Sequence, residues 1–590
     1  MINPRFCKNS LLYLGLCAFL LFLNNYFVVY EEVQEKDYLK IAKNCRDPIA
    51  YSNESLFELT RCSVDNSLFL SCVKSSGDVF FPFSFIKKRF DLTGRVGKDD
   101  VFEWVTSYAK LKLPEGVYDP QGSFGHFSTY NVENRDRVKC ISGDTGVPMS
   151  IQWSSTPYYY PIQIAQYGLQ HYSRFKTANT SSKSVVVGEQ SKEWNGSPGE
   201  TDSSERIFYQ DPDKGAIVNI TSPGSLKSPG CYLYLNEDPE LHFINFEWLP
   251  YSNSSFTILV KILRTNSVLL LNYVEGSDSR CIWLESEDKI EDQLSFNIAL
   301  GTLESKWYVI TRDVLADVNR ALSSIYGNKK KKDENMTTLH ASEIKIVTIG
   351  FRGYCCVKQA IEQSSSASED SFLKAAEWFS ENQDSTGGWP VPVERSIAEK
   401  RLVLPAGWHS AMAQGHGLSL LSRAFIYTGD RKYLDASIRA LDLFEKPASD
   451  GGVLNLFFNH SWYEEYPTSP GTFVLNGFMY SLIGLYDMSS LKKDFDNTTV
   501  ASGVGKAKHL FQKGFESLRE LLPLFDTGSG SIYDLRHVGL KTVPNLARWD
   551  YHAVHIYLLK WLVKITGDQF LDSVADRWIG YTHGKRAKHN

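Results

Sequence analysis

The sequence lacks a surplus of positive charge and is poor in cysteine. Its 63 Lys and Arg residues face 68 Asp and Glu residues, which gives a formal net charge of −5. A globally basic nucleic-acid-binding protein is therefore excluded as the first interpretation. The ten cysteines among 590 residues are irregularly spaced and form no CxxC pair. Their spacing indicates neither a zinc site nor a disulfide-rich scaffold.

Apolar and aromatic residues are abundant. With 43% apolar residues, a long disordered chain or a coiled-coil rod is not expected. At roughly 150 residues per domain, the length allows about three or four units. The 31 Tyr, 34 Phe and 13 Trp residues include enough tyrosine to pack, to contact glycans or to supply phenol chemistry. Counting alone leaves these three roles open.

The first residues predict a membrane anchor. No charged residue occurs between Asn9 and Tyr30, and about 20 apolar residues suffice for a helix to cross a bilayer. Arg5 and Lys8 precede the run while Glu31 and further acidic residues follow it, which places the remainder in the lumen. The prediction is a cytosolic tail over 1–10, a signal-anchor helix over 11–30 and a stem over 31–75. A cleaved signal peptide is the alternative.

Glycosylation sequons and the remaining cysteines support a lumenal location. Asn-x-Ser/Thr occurs eight times, at Asn53, Asn179, Asn195, Asn219, Asn253, Asn335, Asn459 and Asn497. Sequons are used only in secretory compartments. Eight cysteines follow the anchor, enough for one or two structural disulfides whose pairing the sequence leaves open.

Short β-type runs precede a helical region. From about residue 80 to 172, and again from 180 to 355, short apolar runs alternate with turn residues, which favours a β-sandwich or barrel. After residue 358 the apolar period becomes helical. Helices are predicted at 371–381, 408–427, 431–446, 472–488, 503–522, 549–565 and 568–580.

The joints between these helices favour an (α/α) toroid. Thr428-Gly429-Asp430 and Thr566-Gly567-Asp568 each separate two predicted helices. Paired helices with glycine-containing joints fit a ring of helices around a central cleft.

Ionisable residues share one face of a C-terminal helix. Arg548, Tyr551, His552 and His555 fall at i, i+3, i+4 and i+7, which places them together. A polar cleft at the start of the helix is one interpretation, and a solvated first turn is the other. The two histidines have the spacing of a metal pair, but no third ligand is apparent.

Two loops elsewhere combine a tyrosine with a carboxylate. Tyr466 follows Glu465 before a helix, and Tyr533 precedes Asp534 after a glycine-rich turn. Loops at the mouth of a helical toroid are where such groups converge. Glu465 with Asp534 or Asp550 also fits a glycosidase carboxylate pair. Simple packing of the tyrosines is the third interpretation.

Longer segments resemble a known family. The segments 464–468, 476–487, 526–530, 533–537 and 545–552, with 130–140, 160–169 and 586–590, resemble the heparan sulfate D-glucuronyl C5-epimerase family. The resemblance covers about residues 76–590 and is weakest through the middle β-region.

The resemblance implies the fold and the activity. The implied fold is multidomain α and β, with an N-terminal β-hairpin region over 76–175, a β-sandwich or barrel over 176–357 and a C-terminal (α/α) toroid domain over 358–590. The implied enzyme is a homodimeric Golgi isomerase. It converts D-glucuronate to L-iduronate at C5 in N-sulfated heparosan, during heparan sulfate and heparin biosynthesis.

The resemblance also implies the site residues. The implied catalytic residues are Tyr466, Tyr533, Tyr551 and Glu465. The predicted substrate contacts are Tyr118, Tyr130, Asn131, Arg135, Lys139, Gln163, Tyr172, Asn476, Tyr480, Arg536, Asn545, Arg548 and His552. Some members of the family hold a calcium ion in the β-region. Here Cys355 and Cys356 occupy one ligand position, so we predict no metal and no cofactor.

Proton transfer at C5 explains why these residue types suit the reaction. A base must remove the C5 proton on one face, and an acid must return a proton on the other. Because the phenol pKa is near 10, we expect a cation to lower it, with Arg536 beside Tyr533 and Arg548 beside Tyr551. We expect Tyr551, aided by Glu465, to serve one face and Tyr466 or Tyr533 the other. A uronate polysaccharide lyase and a non-catalytic glycan-binding protein remain the alternatives.

Overall fold

The computed structural model describes most of the chain beyond residue 57. The described residues are 58–64, 68–90, 93–97, 99–105, 110–178, 182–187, 194–195, 205–226, 230–277, 279–285, 293–326, 338–491 and 498–588. The predicted tail, the predicted anchor and part of the predicted stem lie outside them. Within these ranges no helix combines the length and the apolar character that crossing a bilayer requires.

The described helices lie mainly in the last 225 residues or so of the chain. In chain order they are α1 Phe83–Phe90, α2 Pro161–Thr177, α3 Val314–Tyr326, α4 Ser368–Glu381, α5 Ala411–Thr428, α6 Arg431–Ala440, α7 Leu475–Ser489, α8 Thr498–Leu521, α9 Arg536–Leu540, α10 Trp549–Thr566 and α11 Gln569–Thr582. The seven helices predicted after residue 358 are all present. The helix predicted at 431–446 ends at Ala440, and a 3₁₀ turn, Leu441–Phe444, continues it.

The described strands are short and mostly antiparallel. They are β1 Glu58–Val64, β2 Leu68–Ser75, β3 Asp78–Phe80, β4 Thr93–Val96, β5 Phe102–Val105, β6 Val138–Ile141, β7 Pro148–Ser150, β8 Tyr158–Tyr159, β9 Lys183–Val187, β10 Trp194–Asn195, β11 Glu205–Asp211, β12 Gly215–Ser222, β13 Cys231–Tyr234, β14 Phe243–Pro250, β15 Ser255–Ile262, β16 Ser267–Val274, β17 Ile282–Leu284, β18 Gln293–Ala299, β19 Tyr308–Asp313, β20 Ile344–Lys358, β21 Ala360–Ser364, β22 Arg395–Ile397, β23 Leu402–Leu404, β24 Leu454–Phe457, β25 His460–Tyr463, β26 Ile532–Asp534 and β27 Asn545–Leu546.

The chain divides into two compact units. One comprises Met1–Lys110 with Arg548–Asp550, and the other comprises Leu111–Ala547 with Tyr551–Asn590. In the first unit β1, β2 and β3 form an antiparallel sheet that the Cys62–Cys72 disulfide crosses, and β4 pairs with β5 as a hairpin.

The second unit contains a β-sandwich built around one long strand. The first half of β20 pairs with β15 and β13, and its second half pairs with β12 and β14. Because β20 joins both groups of strands, 13 of the described strands, between β9 and β21, form one assembly. Beta-branched and aromatic side chains from both groups fill the core between them, as a sandwich requires.

The helices of the second unit share a core with the segment that precedes the sandwich. Helix α5 packs against α7, and α2 packs against α4 and α5. Buried members of this common core are Phe124, Phe127, Ile164, Leu169, Trp389, Leu420, Phe478 and Leu558. Residues from about 124 to 172 therefore build the helical part of the molecule.

Helix α2 was not predicted, because its region contains many β-type aromatic residues. Pro161 occupies the first helical turn, where a missing amide hydrogen costs little. Nearly every side chain from Pro161 to Ser173 is buried, so the polar stripe that identifies a surface helix is absent.

Arg320, Arg312 and a disulfide fix the segment before α2 onto the sandwich, with Arg312 donating to the carbonyl oxygens of Ile141 and Ser142 at 3.1 and 3.0 Å. Arg320 donates to the carbonyl oxygens of Asn134, Arg135 and Val138 at 2.8–2.9 Å. The Cys140–Cys281 disulfide joins β6 to the residue before β17. These links hold the backbone of Arg135 and Lys139, two of the predicted substrate contacts.

Candidate active site

A loop, a strand and a helix bring the predicted catalytic residues together. We call Glu465, Tyr466, Tyr533 and Tyr551 the tyrosine pocket. Glu465 and Tyr466 follow β25, Tyr533 lies in β26, and Tyr551 lies in the first turns of α10. The rings of Tyr533 and Tyr551 meet edge to face, with centroids 4.8 Å apart. Residues far apart in sequence thus lie in one neighbourhood.

Glu465 is a buried carboxyl with an unused acceptor. Its side chain is 4% exposed, and its Oε2 has no hydrogen-bond partner among the described residues. Burial raises the pKa of Glu465 to about 7, although Tyr466 and Arg395 oppose the shift. Gly477 of α7 allows this approach, since a Cβ there would lie 2.4 Å from Oε2. A carboxyl with such a pKa can both accept and release a proton near neutral pH.

Tyr466 lies among aromatic rings and a cation. The Arg395 guanidinium is 5.7 Å from the Tyr466 ring centroid and 4.7 Å from that of Trp153. The ring of Trp408 lies 5.7 Å from that of Tyr466. Burial raises the pKa of Tyr466 well above 10, with a further rise from Glu465. The phenol is therefore neutral at physiological pH and is a proton donor.

The prediction that Arg536 lowers the pKa of Tyr533 is wrong. Burial raises the pKa of Tyr533 well above 10, and Glu465 raises it further. Arg536 instead pairs with Asp534, Nε to Oδ1 at 3.4 Å, and Asn545 donates to the other oxygen of Asp534 at 2.7 Å. Two predicted substrate contacts, Arg536 and Asn545, thus converge on the carboxylate next to Tyr533.

Two predicted substrate contacts, Gln163 and Asn476, are buried side-chain amides whose hydrogen-bonding atoms are not all paired within the described residues. Neither side-chain polar atom of Gln163 has a partner among the described residues, and the same holds for Oδ1 of Asn476. Their side chains are 2% and 4% exposed. Because buried amides are normally satisfied, these two are available to a ligand.

A second group of predicted contacts surrounds Tyr480. Burial raises the pKa of Tyr480 well above 10, and Tyr130 forms a hydrogen bond with it. The Arg135 guanidinium lies 5.2 Å from the Tyr130 ring centroid and donates to Gln166 at 2.6 Å. Burial, followed by Arg320, lowers the pKa of Lys139. Asn131 is exposed beside this group.

Tyr118 and Tyr172 lie at a buried ion pair. Arg423 and Asp487 pair at 2.7 Å with fully buried side chains. Tyr118 donates to Asp487, and Tyr172 donates to the carbonyl of Gln121 at 2.6 Å. These bonds hold the segment around residue 120 against the helices. The substrate-contact role of both tyrosines stays a prediction.

His552 and Arg548 differ in their exposure to solvent. His552 is buried, and its Nδ1 and Nε2 contact Ser531 Oγ at 2.8 Å and the Trp578 carbonyl at 3.2 Å. Burial lowers the pKa of His552 to about 4. Arg548 is half-exposed and pairs with Asp550 at 2.9 Å. Substrate contact by either residue stays a prediction.

The idea of an HxxH metal pair gains no support from the geometry. The Nδ1 atoms of His552 and His555 both contact Ser531 Oγ, at 2.8 and 2.9 Å. In the described part of the chain, no group of three His, Cys, Asp or Glu side chains is arranged to hold a metal ion.

Sequence reasoning missed the partners of Tyr466. Arg395, Trp153 and Trp408 come from three separate segments, and no spacing in the sequence relates them to residue 466. Asp534 was considered as a glycosidase carboxylate, whereas its oxygens are bonded to Arg536 and Asn545.

Family models and a curated relative match most of the chain. Residues 214–354 match the model described as "D-glucuronyl C5-epimerase, beta-sandwich domain", and residues 383–580 match "D-glucuronyl C5-epimerase C-terminus". A Caenorhabditis elegans protein named D-glucuronyl C5-epimerase is 52% identical over 556 residues, covering 90% of each chain.

More distant similarities cover less. An uncharacterised protein of Methanocaldococcus jannaschii is 31% identical over 182 residues, which is 30% of this chain and 53% of that protein. A family 11 carbohydrate-binding module of a Clostridium thermocellum cellulase covers 32% of this chain and 95% of the module, at 14% identity and a TM-score of 0.18. A score this low supports no argument about fold or function.

Proposed function

This chain belongs to the D-glucuronyl C5-epimerase family and is an epimerase, and we propose that its substrate is N-sulfated heparosan. In this proposal it converts D-glucuronate to L-iduronate within the polymer, as a step of heparan sulfate and heparin biosynthesis.

Proton transfer at C5 is assigned to two pairs of side chains. Glu465 and Tyr466 form one pair, and Tyr533 and Tyr551 form the other. One pair removes the C5 proton, which leaves a carbanion stabilised by the neighbouring carboxylate, and the other pair donates a proton to the opposite face. Proton loss and gain balance, so no oxidant or cofactor is consumed. The hydrogen bond between Glu465 and Tyr466 supports the first of these pairs.

We assign the cations near the tyrosine pocket the role of stabilising the negative charge of the substrate. Arg395 lies over Tyr466, and Arg536 lies three residues after Tyr533. The charge that develops on the uronate carboxylate in the transition state is stabilised by fixed donors of this kind. Arg135 and Lys139 are assigned to flanking sulfate or carboxylate groups.

The environment of Glu465 is the observation that best supports this assignment. It is buried, its Oε2 has no partner among the described residues, and its pKa is about 7. A perturbed carboxyl beside three tyrosines has the features of a general acid–base group.

The test is an exchange experiment in D2O. The protein is incubated with N-sulfated heparosan, and deuterium at C5 and iduronate are measured by NMR. The expected result is deuterium at C5, new iduronate and unchanged chain length. Ultraviolet-absorbing unsaturated uronate with falling chain length would indicate a lyase instead. Binding without exchange would indicate a non-catalytic glycan-binding protein.

Location, anchoring, assembly and helix closure are further parts of the proposal. We infer a single-pass type II protein of the Golgi membrane with a lumenal catalytic part, a homodimer, and an (α/α) toroid formed by the C-terminal helices. The apolar run over 11–30 and the sequons support the location, as do two disulfides, which persist in oxidising compartments. Protease protection of the tagged C-terminus in intact vesicles tests the orientation.

A further inference from the structure

Glu464 and its neighbour Glu465 both follow β25, and their carboxyl groups contact different residues. Glu465 lies beside Tyr466 and Gly477, whereas Glu464 bonds to Asn455, Thr472 and Phe473. Glu464 is fully buried, and burial raises its pKa to about 7. No step of the proposed reaction uses this second buried carboxyl.

The Glu464 carboxyl accepts hydrogen bonds from the loop that follows Tyr466. Asn455 donates to its Oε1 at 3.0 Å, and the backbone amide of Phe473 and the hydroxyl of Thr472 both reach its Oε2 at 2.9 Å. Gly471 permits this approach, since a Cβ there would lie 2.5 Å from Oε1. The carboxyl therefore ties residues 471–473 back to the end of the strand.

The Thr472 hydroxyl connects Glu464 to the backbone of Tyr466. Its Oγ1 lies 2.9 Å from Glu464 Oε2 and 3.1 Å from the carbonyl oxygen of Tyr466. One hydroxyl proton serves one acceptor at a time. When Glu464 carries a proton and donates it to Thr472, the Thr472 hydroxyl donates to Tyr466, and both contacts become hydrogen bonds.

We propose that Glu464 and Thr472 are positioning residues for Tyr466, holding the backbone from which its phenol reaches the substrate. This inference rests on the function proposed above. The amide of Thr468 also donates to the Tyr466 carbonyl at 2.8 Å, so the loop returns to this oxygen twice. A reactive group displaced by about 1 Å can lose roughly 100-fold in rate, which is why its support matters.

The test uses variants of nearly constant shape, assayed by C5 deuterium exchange per folded molecule. Thr472→Val removes the hydroxyl, and we expect kcat to fall roughly 10- to 100-fold with KM changed by less than about twofold. Thr472→Ser retains the hydroxyl, and we expect it to keep kcat within about threefold of wild type. Because a merely structural role would lower the melting temperature without this split, kcat and KM are measured with thermal unfolding.

Two further variants complete the test. Glu464→Gln can place its NH2 group at Oε2 as a donor to Thr472, which leaves Oε1, 3.2 Å from the Phe473 amide, as the acceptor for Phe473. We therefore expect kcat to stay within about threefold of wild type. Ser461→Ala is the matched control, because Ser461 is buried in β25, three residues before Glu464, and its hydroxyl has no partner among the described residues. If Thr472→Val does not fold, Thr472→Ala removes the same hydroxyl without adding bulk.

The outcomes separate this inference from the proposed function. Unchanged kcat in Thr472→Val or Thr472→Ala would overturn the positioning role while leaving the epimerase assignment intact. Loss of kcat in Glu464→Gln would overturn the arrangement in which a protonated Glu464 donates to Thr472. Absence of C5 exchange in the wild-type protein would instead overturn the proposed function.

Discussion

The β-sandwich and the tyrosine pocket each bury a tyrosine beside a carboxyl group and an arginine, yet they use them differently. In the Arg312 cluster, formed by Tyr273, Arg312 and Asp317, Arg312 donates to both Asp317 oxygens at 2.9 and 2.6 Å. Tyr273 donates to the same carboxylate at 2.7 Å. In the tyrosine pocket Glu465 Oε2 has no partner within the described ranges, and the same holds for Nε of Arg395, which lies over the Tyr466 ring.

Burial alone does not show whether a charged group is paired within the protein or free to bind a ligand. A buried pair that satisfies itself, like Arg312 and Asp317, fixes a structure and leaves no capacity for a ligand. Glu465 and Arg395 keep polar atoms that a substrate can engage. Because unsatisfied buried groups cost stability, the free atoms of Glu465 and Arg395 beside three tyrosines are candidates for a functional role.

Replacing a tyrosine by phenylalanine should have its most different effects in the tyrosine pocket and in the Arg312 cluster. Tyr551→Phe should reduce C5 deuterium exchange roughly 10²- to 10⁴-fold, the usual contribution of a general acid or base. Tyr273→Phe should leave exchange per folded molecule unchanged and lower the free energy of unfolding by about 1–3 kcal/mol, since it removes a buried hydrogen bond. Exchange rates and urea unfolding measure the two effects. Equal loss of exchange in both variants would remove the distinction.

Breaking the ion pair of the Arg312 cluster should have the next largest effect, on stability alone. Asp317→Asn leaves the Arg312 charge buried without a counter-charge, and we expect the free energy of unfolding to fall by roughly 3–5 kcal/mol. Urea unfolding followed by circular dichroism measures the change. A loss below about 1 kcal/mol would show that this cluster is less dependent on its pairing than its geometry indicates.

Removing the Arg395 cation should have a smaller effect, on binding. Arg395→Gln should raise KM roughly 10-fold, because a charge-assisted hydrogen bond contributes about 1.5–3 kcal/mol. Since Arg395 lowers the pKa of Glu465, the pH of half-maximal exchange should also move upward in this variant. Steady-state kinetics across pH measure both effects. Arg401→Gln on the turn of the same hairpin is the exposed control, and an equal rise in KM there would contradict a specific role.

Much of the helical part could be predicted from the sequence, and parts of the sheet region could not. The C-terminal helices have clear joints, such as Gly429, which adopts a left-handed conformation after α5. Helix α2 was missed because its region contains many β-type aromatic residues and because polar side chains such as Gln163 and Gln170 are buried with the apolar ones. Helix α3 follows directly on β19, within the region predicted as β-type runs, and was also missed.

The four pocket residues could be named from family resemblance, but their surroundings could not. Arg395 reaches Tyr466 from a hairpin about 70 residues earlier, and Thr472 bonds to Glu464 through a loop whose path the sequence does not specify. The direction of the Tyr533 pKa was predicted wrongly because sequence shows the nearby Arg536 but not the burial that outweighs it. Distances and desolvation depend on tertiary packing.

Glu465→Gln tests the contrast between the two regions most directly. The folded-state pKa of Glu465, about 7, lies above the unfolded value of 4.5, so its stabilising contribution is complete below about pH 4.5 and is lost as pH rises through about 7. A glutamine avoids this loss. We predict that the free energy of unfolding at about pH 8 rises by roughly 1–3 kcal/mol, with no rise at about pH 4, while exchange falls at least about 100-fold. A variant less stable at pH 8 than wild type, with exchange within about twofold, would contradict the assignment of Glu465 as a functional group held at a cost in stability.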